Sequence, residues 1–324
     1  MDETVCIVSL GCPKNLIDSE VMAGLLVREG FRLTPEAETA EVILVNTCAF
    51  ILPAKEESVE TILRMGALKS TATGNRKRLV VAGCLPQRYG PSLARALPEV
   101  DLFLGVDDVP AVASRLRHLL SGRKAPPMRT VRPTFLMHAG LPRLISTPPA
   151  TAYLKIAEGC DNRCAYCVIP SIRGPYRSRP PEDILREAEG LADLGVRELI
   201  VTAQDTTAYG QDLPDRPALP ELLRDLAALR KLRWIRLLYT YPERLTDALF
   251  EVMARNRKIC AYIDMPIQHI DDEVLQAMRR RGDGALIRER IARARAVIPG
   301  VALRTSLIVG FPGETPSRFR RLQA

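Results

Sequence analysis

Residues 41–48, EVILVNTC, read as a short buried strand that ends on a cysteine. Two other stretches share the pattern, VCIVSLGC at 5–12 and RLVVAGC at 78–84, and LFLGVDD at 102–108 adds a fourth apolar run. Helical periodicity over 18–31, 54–68, 91–100 and 109–120 separates and follows these runs. Strands alternating with amphipathic helices predict βα units around a parallel sheet. Cys12, Cys48 and Cys84 stand 36 and 36 residues apart, one βα unit each time. Parallel strands present their carboxyl ends at one edge, where ligands of open α/β sheets bind. The three thiols should therefore converge there. The competing reading, three independent buried thiols that pack as small hydrophobes, does not account for the shared register.

The chain has 324 residues, enough for two domains, with 47% hydrophobic and 26% charged residues, as in ordinary globular proteins. No apolar run approaches the roughly 20 residues that cross a bilayer. The start, MDETVCIVSLGC, lacks a basic segment and a small-residue cleavage site. A cytoplasmic location is expected, where thiols stay reduced. Eight cysteines then point to metal or cofactor ligands with a few buried thiols, not to disulfides. The net charge of +8 favours an acidic partner such as RNA, the ribosome or an anionic cofactor, although an Arg-rich composition alone also gives such a charge.

Six prolines and no clean periodicity over 123–150 suggest a semi-extended linker between domains at 1–122 and 151–324. In the second domain, strands are expected at 153–159, 198–204, 234–240, 261–268 and 303–311, with helices between them. Five such repeats predict a barrel-like parallel sheet. The chain stops near TPSRFRRLQA, where the next helix should begin, and this would leave the fifth strand's edge unpaired. A truncated barrel is the expectation.

After the first of these strands comes AEGCDNRCAYCVIP, residues 157–170, with Cys160, Cys164 and Cys167 in C-x3-C-x2-C spacing. Iron–sulfur cubanes take one Cys thiolate per iron. Three thiolates leave one iron open for reactive chemistry. Structural zinc closes its tetrahedron with four ligands, and the nearest histidine is His138, across the linker.

This motif after a first barrel strand, with Tyr166 before the last cysteine, resembles the radical S-adenosylmethionine enzymes. The strand-end trio joined to such a barrel resembles the methylthiotransferase family within them. Stretches 9–20, 82–89, 170–184, 202–210, 239–245 and 262–281 look like its ribosomal-protein branch more than its tRNA-modifying branch. The resemblance implies a flavodoxin-like methylthiotransferase N-terminal domain and a radical core, incomplete here. Family members continue with a sixth barrel strand and a C-terminal TRAM domain. It further implies two [4Fe-4S] clusters, one on Cys12, Cys48 and Cys84 and one on Cys160, Cys164 and Cys167, the latter chelating S-adenosyl-L-methionine. The two sites would face each other across a shared cavity. The implied reaction adds a methylthio group to the β-carbon of an aspartate in the twelfth small-subunit ribosomal protein. It would draw on a low-potential electron donor and a sulfur source, with no membrane involved. A tRNA adenosine acceptor is the alternative. An iron–sulfur electron carrier and a zinc-stabilised RNA-binding module are alternatives of other classes.

Other residues are less distinctive. Gln204 and Asp205 end the second barrel strand, where barrel sites are built, but the family's Gly-Gly-Glu stretch is missing there; a helix cap also explains Asp205. Val309, Gly310 and Phe311 resemble an adenine-contacting segment, although a plain turn explains the glycine equally. Gln268 and His269 could face the cavity, while a lone His is more often structural. Arg173, Arg177 and Arg179 read as anion binders or as solvated side chains. The basic runs at 279–281 and 318–321 read as solvated faces. Cys6 and Cys260 read as inert buried thiols.

Overall fold

The computed structural model describes residues 3–71, 77–123 and 131–324. Two compact units emerge, Met1–Ser146 with Ser171–Gly174, and Thr147–Pro170 with Pro175–Ala324.

The first unit runs β1 (Thr4–Ser9), α1 (Pro13–Arg28), β2 (Arg32–Leu33), β3 (Val42–Thr47), α2 (Leu52–Thr71), β4 (Arg78–Gly83), α3 (Cys84–Ala96) and β5 (Leu102–Leu104). A 3-10 turn over Val106–Ala111 then leads into α4 (Val112–Leu120). The strands pair in parallel in the order β2-β1-β3-β4-β5. Register sets Ser9 beside Asn46 and Thr47 beside Gly83, so three strands finish nearly level. Their next residues lead to Cys12, Cys48 and Cys84. The central strand β3 is buried along its whole length, as parallel strands are. Each fully buried Val, Ile or Leu there contributes about 1.5–3 kcal/mol of transfer free energy.

Two details depart from the sequence pattern. The third helix starts at Cys84 itself, because Gly83 at φ 93° turns the chain abruptly off β4. It breaks at Gly90, so the expected helix at 91–100 is only its second half. Residues 131–150 carry no helix or strand, yet they are not a free spacer. The Leu144 N–H donates to the Glu20 carbonyl (3.0 Å), and Arg143 Nε and the Ser146 hydroxyl both reach the Glu20 carboxylate at 2.8 Å. The earlier part of that stretch, 124–130, lies outside the described residues.

The second unit contains β6 (Thr151–Lys155), β7 (Ala157–Glu158), α5 (Ile169–Arg173, its end counted with the first unit), β8 (Arg177–Ser178), α6 (Pro181–Asp193) and β9 (Glu198–Thr202). It continues with α7 (Leu219–Ala228), β10 (Trp234–Leu237), α8 (Asp247–Arg255), β11 (Tyr262–Asp264), α9 (Asp272–Ala277), α10 (Gly284–Val297), β12 (Ala302–Arg304) and α11 (Pro316–Gln323). Strands β6, β9 and β10 pair in parallel, as do β11 and β12, and a parallel bridge between Ile235 and Ile259 links the two groups. The result is a partial βα barrel. Thr246, Asp271, Asp283 and Thr315 cap α8, α9, α10 and α11 by accepting from backbone N–H groups, each cap contributing about 1 kcal/mol. The antiparallel pair β7–β8 is too short to leave a periodic signal in the sequence.

Candidate active site

At the carboxyl edge of the first sheet, each cysteine of the strand-end trio is held by polar bonds. Cys12 is the N-cap of α1. The Asn15 side-chain amide donates to the carbonyls of Leu10 (2.7 Å) and Asn46 (3.3 Å), and Asn46 returns a bond to the Asn15 carbonyl (2.9 Å). The Ser58 hydroxyl accepts from the Cys48 N–H and donates to the Cys48 carbonyl (2.9 Å). Thr47 Oγ1 donates to the Ala82 carbonyl (2.6 Å) and accepts from the Leu85 N–H beside Cys84. Gly11, at φ 93°, lies so close that an added Cβ would sit 2.5 Å from Cys48 Cβ and 3.0 Å from its sulfur. The thiols are near enough that charge on one raises the cost of ionising another. Burial pushes the Cys48 thiol up. Burial likewise pushes Cys84 up to about 11, although the Arg173 guanidinium beside it pulls the other way.

Sequence alone leaves that guanidinium as an anion binder or a solvated group. It is 4% exposed and is counted with the first unit. Its Nη1 donates to Asp18 Oδ2 (2.6 Å), and its Nη2 reaches Asn15 Oδ1 (3.2 Å) and Cys84 Sγ (3.3 Å).

In the second unit, one loop after β7 carries Cys160, Cys164 and Cys167. Segments after β9, after β10 and at the end of α9 pin it. Asp205, at the end of β9, accepts from the Asn162 amide and from Arg244 Nη1, both at 2.8 Å, and from the Thr207 hydroxyl at 2.6 Å. Asp205 stands at the N-cap position of the 3-10 turn Thr206–Ala208, but its side chain caps no backbone N–H; its bonds fix the cysteine loop and the segment after β10. On the other side the Ala165 N–H donates to the Met278 carbonyl (2.9 Å). Burial pushes Cys160 up to about 12 and raises Cys167. The Cys164 sulfur lies 2.7 Å from the Tyr241 hydroxyl. Arg280 stacks on that ring 3.7 Å from its centroid and is 9% exposed, so the basic run at 279–281 is not simply a solvated face. Burial first, then the neighbouring Cys164, holds Tyr166 and Tyr241 well above the usual phenol range, while Arg280 pulls both down.

Gln204 donates to Glu158, whose other oxygen accepts from Lys155 Nζ at 2.8 Å. Lys155 is 1% exposed and Glu158 5%; neither stood out in sequence. Gln204 Oε1, Thr202 Oγ1 and both Glu243 carboxylate oxygens are buried without a hydrogen-bond partner among the described residues. Such orphaned acceptors, at and after the end of β9 and in the turn after β10, suit a polar, cationic ligand portion. Gly310, at φ 79°, donates to Glu314, which in turn contacts His269 Nε2 at 3.1 Å. His269 Nδ1 accepts from the Asp271 N–H (3.0 Å), so the ring is a structural link. Val309 is 59% exposed and Phe311 half-buried. Arg179 is fully buried between Asp183 and Glu187, while Arg177 donates to the Pro175 carbonyl. Cys6 is buried and Cys260 half-buried.

Both trios fit an iron–sulfur cluster chemically. Buried thiols that resist ionisation become thiolates when a metal takes the proton's place. A tetrahedral zinc ion needs its sulfurs at about 2.3 Å, and among the described residues no group of three or more His, Cys, Asp or Glu is gathered for a single ion.

Comparison with known proteins decides the lineage. The Radical SAM superfamily matches residues 154–323, and the Uncharacterized protein family UPF0004 matches residues 4–105. The ribosomal protein uS12 methylthiotransferase RimO of Syntrophus aciditrophicus is 62% identical over 325 residues, spanning 100% of this chain and 71% of that protein. Its counterpart from Trichlorobacter lovleyi is 54% identical, spanning 99% and 71%. The chain belongs to the ribosomal protein uS12 methylthiotransferase family. As a member it is a radical S-adenosylmethionine transferase, and that chemistry calls for S-adenosylmethionine and a [4Fe-4S] cluster. The uS12 methylthiotransferase fold extends further. The radical methyltransferase TsrM from Kitasatospora setae superposes with a TM-score of 0.69 at 16% identity, covering 99% of this chain and 70% of that one. OxsB, a cobalamin-dependent radical enzyme, gives 0.61 at 11% identity over 95% of this chain and 49% of that one. At such identities the likeness is one of fold.

Proposed function

We propose that this chain adds a methylthio group to the β-carbon of an aspartate in ribosomal protein uS12, using two [4Fe-4S] clusters. Cys160, Cys164 and Cys167 would hold the one that binds S-adenosylmethionine, and Cys12, Cys48 and Cys84 the other. The observation that carries the reading is the pair of thiol trios, one in each unit, each with two buried cysteines and one half-buried, and each leaving one iron of a cubane without a protein ligand.

The target hydrogen sits on an unactivated carbon, which no side-chain base in the normal pKa range removes. When bound, the cluster and S-adenosylmethionine supply the radical chemistry that takes such a hydrogen. The protein's own part is positioning. Asp205, Asn162 and Arg244 fix the cysteine loop, and Arg280 and Tyr241 wall it at Cys164. Gln204, Thr202 and Glu243 offer buried acceptors to the ammonium of S-adenosylmethionine. Tyr166 and the 309–311 segment remain candidate contacts to the same cofactor.

The reaction requires a low-potential electron donor and a sulfur source. All eight cysteines are free, as a reducing cytoplasm favours. No helix among the described residues is long and apolar enough to cross a membrane. The charge of +8 suits an acceptor presented on the RNA-rich ribosome.

The test is anaerobic incubation of the reconstituted chain with reductant, S-adenosylmethionine, sulfide, and either uS12 or tRNA. A methylthio mass gain on a uS12 aspartate is expected. A gain on tRNA adenosine alone would overturn the acceptor.

A further inference from the structure

Arg173, in the segment after the radical motif, directs its guanidinium at a cysteine sulfur of the strand-end trio. We infer that Arg173 is a positioning residue for the strand-end cluster, clamping two cysteine-bearing helix starts and donating an N–H to the Cys84 thiolate. The inference rests on the proposal that Cys12, Cys48 and Cys84 hold a cluster.

The geometry gives it two roles at once. One arm of the planar fork meets Asp18 at 2.6 Å, while the other meets Asn15 at 3.2 Å and Cys84 Sγ at 3.3 Å. Asp18 and Asn15 belong to the first turns of α1, whose cap is Cys12; Cys84 begins α3. The fork thus fixes the separation of two ligands, in a way that a point-like ammonium cannot reproduce. Burial matters equally. Arg173 is 4% exposed and Asp18 4%, so neither charge is screened by water. An N–H donated to a cluster sulfur, with positive charge behind it, stabilises the more negative reduced state and raises the potential.

The role is separable from simple packing. The full chain carrying Cys160, Cys164 and Cys167→Ala isolates the strand-end cluster, and Arg173→Lys, Arg173→Met and Asp18→Asn/Arg173→Met are compared in that background. The double variant removes the uncompensated carboxylate that Arg173→Met leaves behind. After anaerobic reconstitution, iron and sulfide content and the midpoint potential by EPR-monitored titration are read. The expected result is retained iron in Arg173→Lys and in the double variant. Both should have a more negative potential than the parent, with the double variant the more negative of the two. Full loading with unchanged potential and EPR signal in the double variant would overturn the inference. So would equal loss of iron in all three variants, which marks a packing role alone. A parent background that holds no iron would instead remove the two-cluster reading on which the inference stands.

Discussion

The two cysteine trios reach similar burial by opposite routes. Cys160, Cys164 and Cys167 share one short loop, so local sequence brings them together, and the connections after the barrel strands have only to pin it through Asp205, Arg244 and Met278. Cys12, Cys48 and Cys84 come from three strand ends and converge only because β1, β3 and β4 pair in level register. The loop trio is walled by aromatic and cationic side chains, the strand-end trio by amides, hydroxyls and one guanidinium. A loop can adjust around a ligand, whereas a site made of strand ends is as rigid as its sheet. The strand-end trio should therefore be the more sensitive to small changes in backbone.

Removing each trio breaks the comparison most severely. Cys160, Cys164 and Cys167→Ala should abolish 5′-deoxyadenosine formation, measured by chromatography after anaerobic incubation with reductant. Cys12, Cys48 and Cys84→Ala should leave 5′-deoxyadenosine formation in place and abolish methylthio transfer to uS12.

A single methyl group should sharpen it. Gly11→Ala places a Cβ where Cys48 already stands and forces an L side chain to φ 93°, a strain of about 1–3 kcal/mol before any clash. Reconstituted iron should fall by about half, one cubane of the proposed two, while 5′-deoxyadenosine formation persists. In the second unit, Asp205→Ala leaves Arg244 and Asn162 without their shared acceptor; Asp205 is 1% exposed. Breaking a buried pair of this kind costs about 3–5 kcal/mol, readable as a lowered denaturant midpoint.

How much of this was legible in the sequence depends on range. The C-x3-C-x2-C spacing is a local signal, and the 36-residue repeat of strand-end cysteines is visible once βα alternation is recognised. Arg173 and Asp18 lie 155 positions apart, and no periodicity reports such a partnership. Arg280 sits in a triplet of arginines that looks solvated; burial under the Tyr241 ring is a property of the barrel. Lys155 and Glu158 form a pair only because β6 ends where β7 begins, and the two-residue β7–β8 ladder is too short to leave a pattern.

The smallest expected effect is on the cluster-free chain. Cys84 and Cys160 are raised to about 11 and about 12 by burial, against about 8.5 in an unfolded chain. Thiols raised on folding stabilise the fold fully below about pH 8.5, and that contribution is lost as pH climbs through the folded values. The apo chain should therefore lose denaturant stability between about pH 9 and pH 11. At pH 8, iodoacetamide should label Cys84 and Cys160 at least about tenfold more slowly than a free thiol.

Anaerobic iron and sulfide analysis of the reconstituted chain, beside the two triple variants, tests the central claim most directly. Two incompletely ligated cubanes predict about eight irons per chain, falling to about four when either trio is replaced by alanine. About four irons in the parent, undiminished in Cys12, Cys48 and Cys84→Ala, would contradict the account.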